Sequence, residues 1–204
     1  MPSIYDIKPR FQQCLRPVMH GLAATGCRPN TITMLALLGS CGVGAVLPLA
    51  AHTPSVLLLL PLWLFVRMAF NALDGMMARE LHMASPLGAI LNELGDVLAD
   101  VALYIPFALL SAPAHWPVLA FVIGAVLTEF CGVLGQTLSG RRQYAGPMGK
   151  SDRAFVVSAL ALLTVLVPAL LAVWAWVFSV AALLTAVTCW NRLAATLREV
   201  RAAA

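Results

Sequence analysis

Charge is what this sequence most lacks. Only 11% of its 204 residues are Asp, Glu, Lys or Arg, against about 25% in an ordinary soluble domain. With 61% hydrophobic residues and a mean hydropathy of +0.88, a water-soluble globular fold is excluded and a membrane protein is indicated. The apolar runs also lack the period-two alternation of barrel strands, so helices are the remaining way to satisfy the backbone in lipid. Basic residues are scattered in short clusters and form no single stripe, which argues against a nucleic-acid partner. The five cysteines (Cys14, Cys27, Cys41, Cys131 and Cys189) show no C-x-x-C spacing, so they read as free, packed thiols rather than a zinc or redox motif. No stretch within Met1 to Arg28 is apolar enough for the core of a signal peptide. No internal repeat or composition break divides the chain, and a single membrane domain over residues 1–204 is expected.

What is present is a series of apolar runs. They predict an all-α integral membrane fold with six transmembrane helices near residues 32–50, 55–79, 87–111, 116–138, 153–168 and 171–191. Residues 1–28 form an amphipathic juxtamembrane segment, because Ile4, Ile7, Phe11, Cys14, Leu15 and Val18 recur at helical spacing. Gly26 to Thr31 is a breaker, with Asn30 or Thr31 placed to cap the next helix. Residues 192–204 are the tail. The basic residues set the orientation: Lys8, Arg10, Arg16, Arg28, Arg79, Arg141, Arg142, Lys150, Arg153, Arg192, Arg198 and Arg201 fall on one side, which is twelve of the thirteen Lys and Arg. By the positive-inside rule both termini are cytoplasmic, in a multi-pass protein of a bacterial-type inner membrane.

The thirteenth, Arg67, lies roughly 12–18 Å deep at a rise of about 1.5 Å per residue and needs a partner. Asp100 and Glu129 fall at comparable depth and are the expected ones. The other polar groups cluster between Asn71 and Asp100. Asn71, Asp74 and Ala78 share one face of the second helix, and Asn92, Asp96 and Asp100 share one face of the third. A short turn makes these helices antiparallel neighbours, so the two faces can meet just inside the cytoplasmic boundary. Two carboxylates and two amide oxygens suit magnesium, manganese or calcium rather than zinc or copper. Gly75, Ala78 and Gly88 let a substrate or a helix approach the backbone, and Arg79 is placed to meet an anion. Lone His82 reads as incidental, and Trp63, Trp116, Trp174, Trp176 and Trp190 as mostly interfacial anchors. An ion-transport role is disfavoured, because the acids gather near one interface and no inverted repeat or broken helix pair is present.

Asp74-Gly75-x-x-Ala78-Arg79, eight residues, then Gly88-x-x-x-Asn92-x-x-x-Asp96 resembles the signature of the CDP-alcohol phosphotransferases, D-x-x-D-G-x-x-A-R-x(8)-G-x-x-x-D-x-x-x-D. The six-helix count, the amphipathic amino-terminal segment, Pro29-Asn30-x-x-Thr33 and Gly149-Lys150 are also similar to that family. The resemblance implies transfer of a phosphatidyl or phospho-alcohol group from a CDP-alcohol, in bacteria usually CDP-diacylglycerol, to an acceptor hydroxyl with release of CMP. It implies a homodimer in contact with membrane lipids and a Mg2+ or Mn2+ cofactor of one or two ions. Carried over, Asp74 and Asp96 are metal ligands, with Asp96 also the catalytic base. Gly75, Ala78, Arg79 and Gly88 contact nucleotide or phosphate. Arg141, Arg142, Lys150 and Arg153 are candidates for the phosphate of the acceptor or of the lipid, or are ordinary positive-inside flanking residues. The first and third signature aspartates are here Asn71 and Asn92, candidate ligands through their amide oxygens. Three outcomes follow: an enzyme with one metal or a weak second one, a site supplemented by Glu93 or Asp100, or a non-catalytic relative that binds CDP-lipid or a partner enzyme.

Overall fold

The computed structural model describes residues 4–203, with side chains from Phe11 onward. The expectations for the side chains of Ile4, Ile7, Lys8 and Arg10 lie outside that range. Every element among the described residues is helical. They are α1 (Ile4–Ala24), α2 (Pro29–Val46), α3 (Leu59–Glu80), α4 (Pro86–Tyr104), α5 (Phe107–Leu110), α6 (His115–Ser139), α7 (Lys150–Leu166) and α8 (Trp174–Ala203), with short 3-10 turns at Leu47–Ala51, Pro54–Leu58, Ala112–Ala114 and Pro168–Val173.

Six long helical stretches follow α1. Four of them, Pro29–Ala51, Pro54–Glu80, Ala112–Ser139 and Pro168–Ala203, are long and apolar enough to cross a membrane. The other two are the shorter ones with charges inside or at their start. α4 carries Glu93, Asp96 and Asp100 in 19 residues, and α7 has 17 residues and opens on Lys150, Asp152 and Arg153. Exposed apolar side chains, among them Leu38, Leu62, Phe65 and Leu183, give the surface a lipid-facing character. The protein is a membrane protein.

Several boundaries differ from the sequence reading. α4 stops at Tyr104 and a four-residue α5 resumes after Pro106, because proline donates no N–H and disfavours helix at the residue before it. α8 continues to Ala203, so residues 192–203 are helix; this segment is rich in Ala, Leu, Arg and Glu, which are strong helix formers. Pro29 occupies the first position of α2, where a missing N–H costs nothing. Asn30 is thereby inside the first turn and is not its cap.

The chain divides into two compact units, one comprising Leu62–Ala99 with the chain up to Cys41, the other Gly42–Pro61 with Asp100–Ala204. In the first, Met19, Ile32, Leu73, Met76 and Met77 form the core, with Leu15, Leu22 and Phe70 packed on it. The inward face of α1 is thus Leu15, Met19 and Leu22, while Cys14 and Val18 are exposed. Trp63 Nε1 donates to Ser40 Oγ at 2.9 Å, and Gly39 leaves the space that the Trp63 ring fills, since a Cβ there would lie 2.1 Å from it.

In the second unit Tyr104, Phe107, Phe121, Trp174 and Phe178 form a fully buried aromatic cluster. Trp174 Nε1 donates to Thr164 Oγ1 at 2.9 Å. Trp174 is therefore internal and Trp63 half-buried, whereas Trp116, Trp176 and Trp190 are exposed as interfacial anchors would be. α6 and α8 pack along small residues: Gly124 faces Thr185, and Gly135 faces Thr196 and Gln143. Small residues at such a seam bring helices close enough for dispersion and hydrogen bonds to act where no hydrophobic driving force exists. All five cysteines are free, but Cys14 and Cys41 are exposed rather than packed.

Candidate active site

The first unit contains a helical hairpin whose turn is specified locally. Ser85 Oγ accepts the Gly88 N–H at 3.0 Å, a side-chain cap on α4, and Pro86 takes the first helical position. His82, at φ 56°, supplies the left-handed residue that reverses the chain. It is exposed and lies outside the cavity described next.

With the hairpin closed, α3 contributes Asn71, Asp74, Gly75, Ala78 and Arg79 to a cavity of about 290 Å³, and α4 contributes Gly88, Ala89 and Asn92. The first turn of α2 adds Pro29, Asn30 and Thr33, and the turn adds Met83, Ala84 and Ser85. Seven residues singled out by register (Asn71, Asp74, Gly75, Ala78, Arg79, Gly88 and Asn92) thus line one cavity. The two glycines are required by close approach. A Cβ on Gly88 would lie 2.7 Å from Asn30 Oδ1, and one on Gly75 would lie 3.1 Å from the Arg79 guanidinium, which folds back over it.

Asp74 is 5% exposed and is oriented from α2. Thr33 Oγ1 lies 2.8 Å from Asp74 Oδ2 and 3.1 Å from the Pro29 carbonyl; one hydroxyl hydrogen serves one acceptor, and the nearer, charged oxygen is the better. Asp96 adjoins the cavity through Asn71 and is not itself part of its lining. Asn71 Nδ2 donates to Asp96 Oδ1 at 3.1 Å, and Arg67 Nη2 donates to the same oxygen at 3.3 Å and to the Asp96 carbonyl at 3.0 Å. Arg67, 3% exposed, therefore has in Asp96 a partner that register alone did not select. Glu93 does not line the cavity.

The second unit gathers the other deep charges. Arg153 is 1% exposed and donates through Nη2 to Asp100 Oδ2 at 3.0 Å and to Glu129 Oε1 at 2.9 Å. Asp100 and Glu129, the partners expected for Arg67, are thus both paired with Arg153 from α7. Arg142 meets the other oxygen of Glu129 at 2.8 Å, and Arg192 approaches Glu129 at 3.8 Å and donates to the Thr128 carbonyl. Of the four loop and α7 residues assigned to phosphate, Arg141 is exposed, Lys150 opens α7, Arg142 is bound to Glu129 and stacks 5.6 Å over Tyr144, and Arg153 is enclosed by carboxylates. Near the end of α8, Ser139 Oγ and Gln143 Nε2 both donate to Glu199 at 2.7 Å, which anchors that helix beyond the membrane-length segment.

Thr33, Asn30, Ser85, Arg192 and Glu199 were not among the site residues of the sequence reading. Pro29-Asn30-x-x-Thr33 was the one available pointer to the first two.

A family model for CDP-alcohol phosphatidyltransferases matches residues 27–197. The chain belongs to that family. The inner membrane protein YnbA of Escherichia coli (strain K12) is 46% identical over 190 residues, covering 93% of this chain and 94% of YnbA. An uncharacterized class-I family protein of Dictyostelium discoideum is 30% identical over 47% of this chain and a quarter of its own length, 25%. Two solved structures of phosphatidylinositol phosphate synthase PgsA1 from Mycobacterium tuberculosis share the fold at TM-score 0.76. The one with CDP-DAG bound is 20% identical and covers 88% of this chain and 92% of its own. The one in complex with manganese and citrate is 21% identical and covers 89% and 88%.

The family uses divalent metals, and the donor set of the cavity fits one. Among the described residues no three Asp, Glu, His or Cys groups converge on a metal position, because two signature positions are Asn71 and Asn92. Asp74, with amide oxygens from Asn71 and Asn92, still offers the hard, partly anionic oxygens that Mg2+ and Mn2+ take.

Proposed function

We propose that this protein transfers a phosphatidyl group from CDP-diacylglycerol to the hydroxyl of an acceptor, releasing CMP, as a step of phospholipid synthesis. The observation that carries the reading is the convergence of Asn71, Asp74, Gly75, Arg79, Gly88 and Asn92 on one cavity in the family's register. The PgsA1 structure with CDP-DAG bound supports the choice of donor. In the reaction the acceptor oxygen forms a bond to the phosphorus bearing the diacylglycerol, the bond from that phosphorus to the bridging oxygen breaks, and CMP leaves with the electron pair. Asp74 and the amide oxygens of Asn71 and Asn92 would hold a divalent cation, which would supply charge neutralisation for the diphosphate and the leaving phosphate. Asp96 receives the acceptor proton, with Arg67 and Asn71 holding its carboxylate in place. Gly75 and Gly88 give the nucleotide access to backbone, and Arg79 meets a phosphate oxygen. Arg141, Arg142 and Lys150 serve an anionic acceptor or lipid phosphate, and Arg153 acts there through Glu129.

The proposal includes one membrane domain of six spans with cytoplasmic termini, a cytoplasmic-face site in an inner membrane, and a homodimer. It is tested by incubating purified protein with CDP-diacylglycerol, Mg2+ or Mn2+ and a panel of hydroxyl acceptors, scored for CMP. Metal-dependent CMP release is expected with at least one acceptor. Nucleotide binding without release across the panel would favour the second reading, a non-catalytic binder of CDP-lipid, which the two asparagines motivate.

A further inference from the structure

We infer that the cavity holds a single divalent cation, on Asp74, because Asn71 and Arg67 give Asp96 the neutralisation that a second cation would otherwise supply. The inference rests on the proposed CDP-alcohol site and concerns its metal stoichiometry.

The argument starts from one hydrogen bond. Asn71 Nδ2 lies 3.1 Å from Asp96 Oδ1. The amide orientation is dictated by chemistry, since the reverse flip would set a carbonyl oxygen against a carboxylate oxygen. A carboxylate in place of this amide would put two anionic oxygens at that separation, an arrangement that requires a cation between them or a proton on one of them. The asparagine removes the requirement. Its N–H gives Asp96 Oδ1 a donor where a carboxylate would have set a second anion, and the guanidinium of Arg67 reaches the same oxygen at 3.3 Å. Asp96 is thus satisfied from within the protein.

The same amide leaves its oxygen as a neutral ligand for an ion on Asp74. That ion would also draw electron density from the amide and strengthen its N–H toward Asp96. Asp74 is independently positioned by Thr33, and Asn92 lines the cavity as a second neutral oxygen donor. Charge leads to the same conclusion. Asp74 and Asp96 are balanced by Arg67 and Arg79 to a net charge of about zero, so one divalent ion leaves the site about +2 to receive an anionic diphosphate, while two would leave about +4 with Asp74 the one carboxylate among the described lining residues.

The test is Mn2+ titration of the detergent-purified full chain, with and without CDP-diacylglycerol, followed by electron paramagnetic resonance and equilibrium dialysis. One Mn2+ per chain with the spectrum of an isolated ion is expected, and Asp74→Asn should abolish it. The double variant Asn71→Asp, Asn92→Asp should take up a second Mn2+ and show the spin-coupled spectrum of ions about 3.5–4 Å apart. Asn71→Ala, which removes the amide without adding charge, should not. Two coupled ions in the unsubstituted chain would overturn the inference and leave the proposed function standing, whereas no ion even with CDP-diacylglycerol would overturn both. The unsubstituted stoichiometry decides the matter even if the double variant fails to fold.

Discussion

At the scale of single residues, the polar side chains of this membrane protein divide into those that line the cavity and those that hold the fold, and the two groups predict different phenotypes. Asp96→Asn removes the proposed base and the carboxylate charge that faces buried Arg67, and should lower CMP release by about 10²–10⁴-fold together with some loss of thermal stability. Arg153→Met should act on the fold first. It leaves Asp100 and Glu129 buried without the guanidinium that joins them, a loss of about 3–5 kcal/mol, read as a lowered unfolding temperature in detergent. Sequence reasoning placed Asp74, Gly75 and Arg79 on the correct face because the i, i+3, i+4 geometry of a helix is local. It did not place Asp96 on Arg67, because the contact depends on the reach of a long guanidinium across the helix interface, which register does not encode. Arg153 illustrates the same limit: beside a Gly/Pro-rich loop it reads as a free phosphate ligand, and only packing shows it enclosed between two acids.

At the scale of elements, close helix contacts depend on glycines whose neighbours are backbone. Gly44 in α2 is the clearest, since a Cβ there would lie 2.2 Å from the Ala102 carbonyl oxygen in α4. A backbone carbonyl in a helix cannot swing aside as a flexible side chain can. Gly44→Ala should therefore force the helices apart at a cost of about 1–3 kcal/mol, which at roughly 2–4 °C per kcal/mol for a chain of this size is a drop readable by thermal scanning. Gly42, two residues earlier, meets nothing within 4 Å, so Gly42→Ala serves as the control and should be neutral or slightly stabilising. Nothing in the sequence distinguishes these two glycines, as both sit in the same apolar run. The ends of elements were legible where proline acted within its own turn, as at Pro29 and Pro86. They were not legible where a distant partner extended a helix, as Ser139 and Gln143 do for α8 through Glu199.

At the scale of the whole molecule, the distribution of basic residues predicts that both termini and the hairpin turn at Leu81–Ser85 lie on the cytoplasmic side. Carboxy-terminal fusions should accordingly be fluorescent with a green fluorescent protein and inactive with a periplasmic phosphatase, and fusions at His52 should show the opposite. A phosphatase-active carboxy-terminal fusion would overturn the six-span topology. By itself the sequence determined the membrane class, the helical architecture and the face on which each polar residue of the candidate site lies, because burial in lipid and helical period act on short stretches of chain. The tertiary structure alone decided which charges pair. It set Thr33 on Asp74, Asn71 and Arg67 on Asp96, and Arg153 between Asp100 and Glu129. The physical reason is that pairing depends on side-chain reach between helices distant in the chain, which the local sequence does not encode.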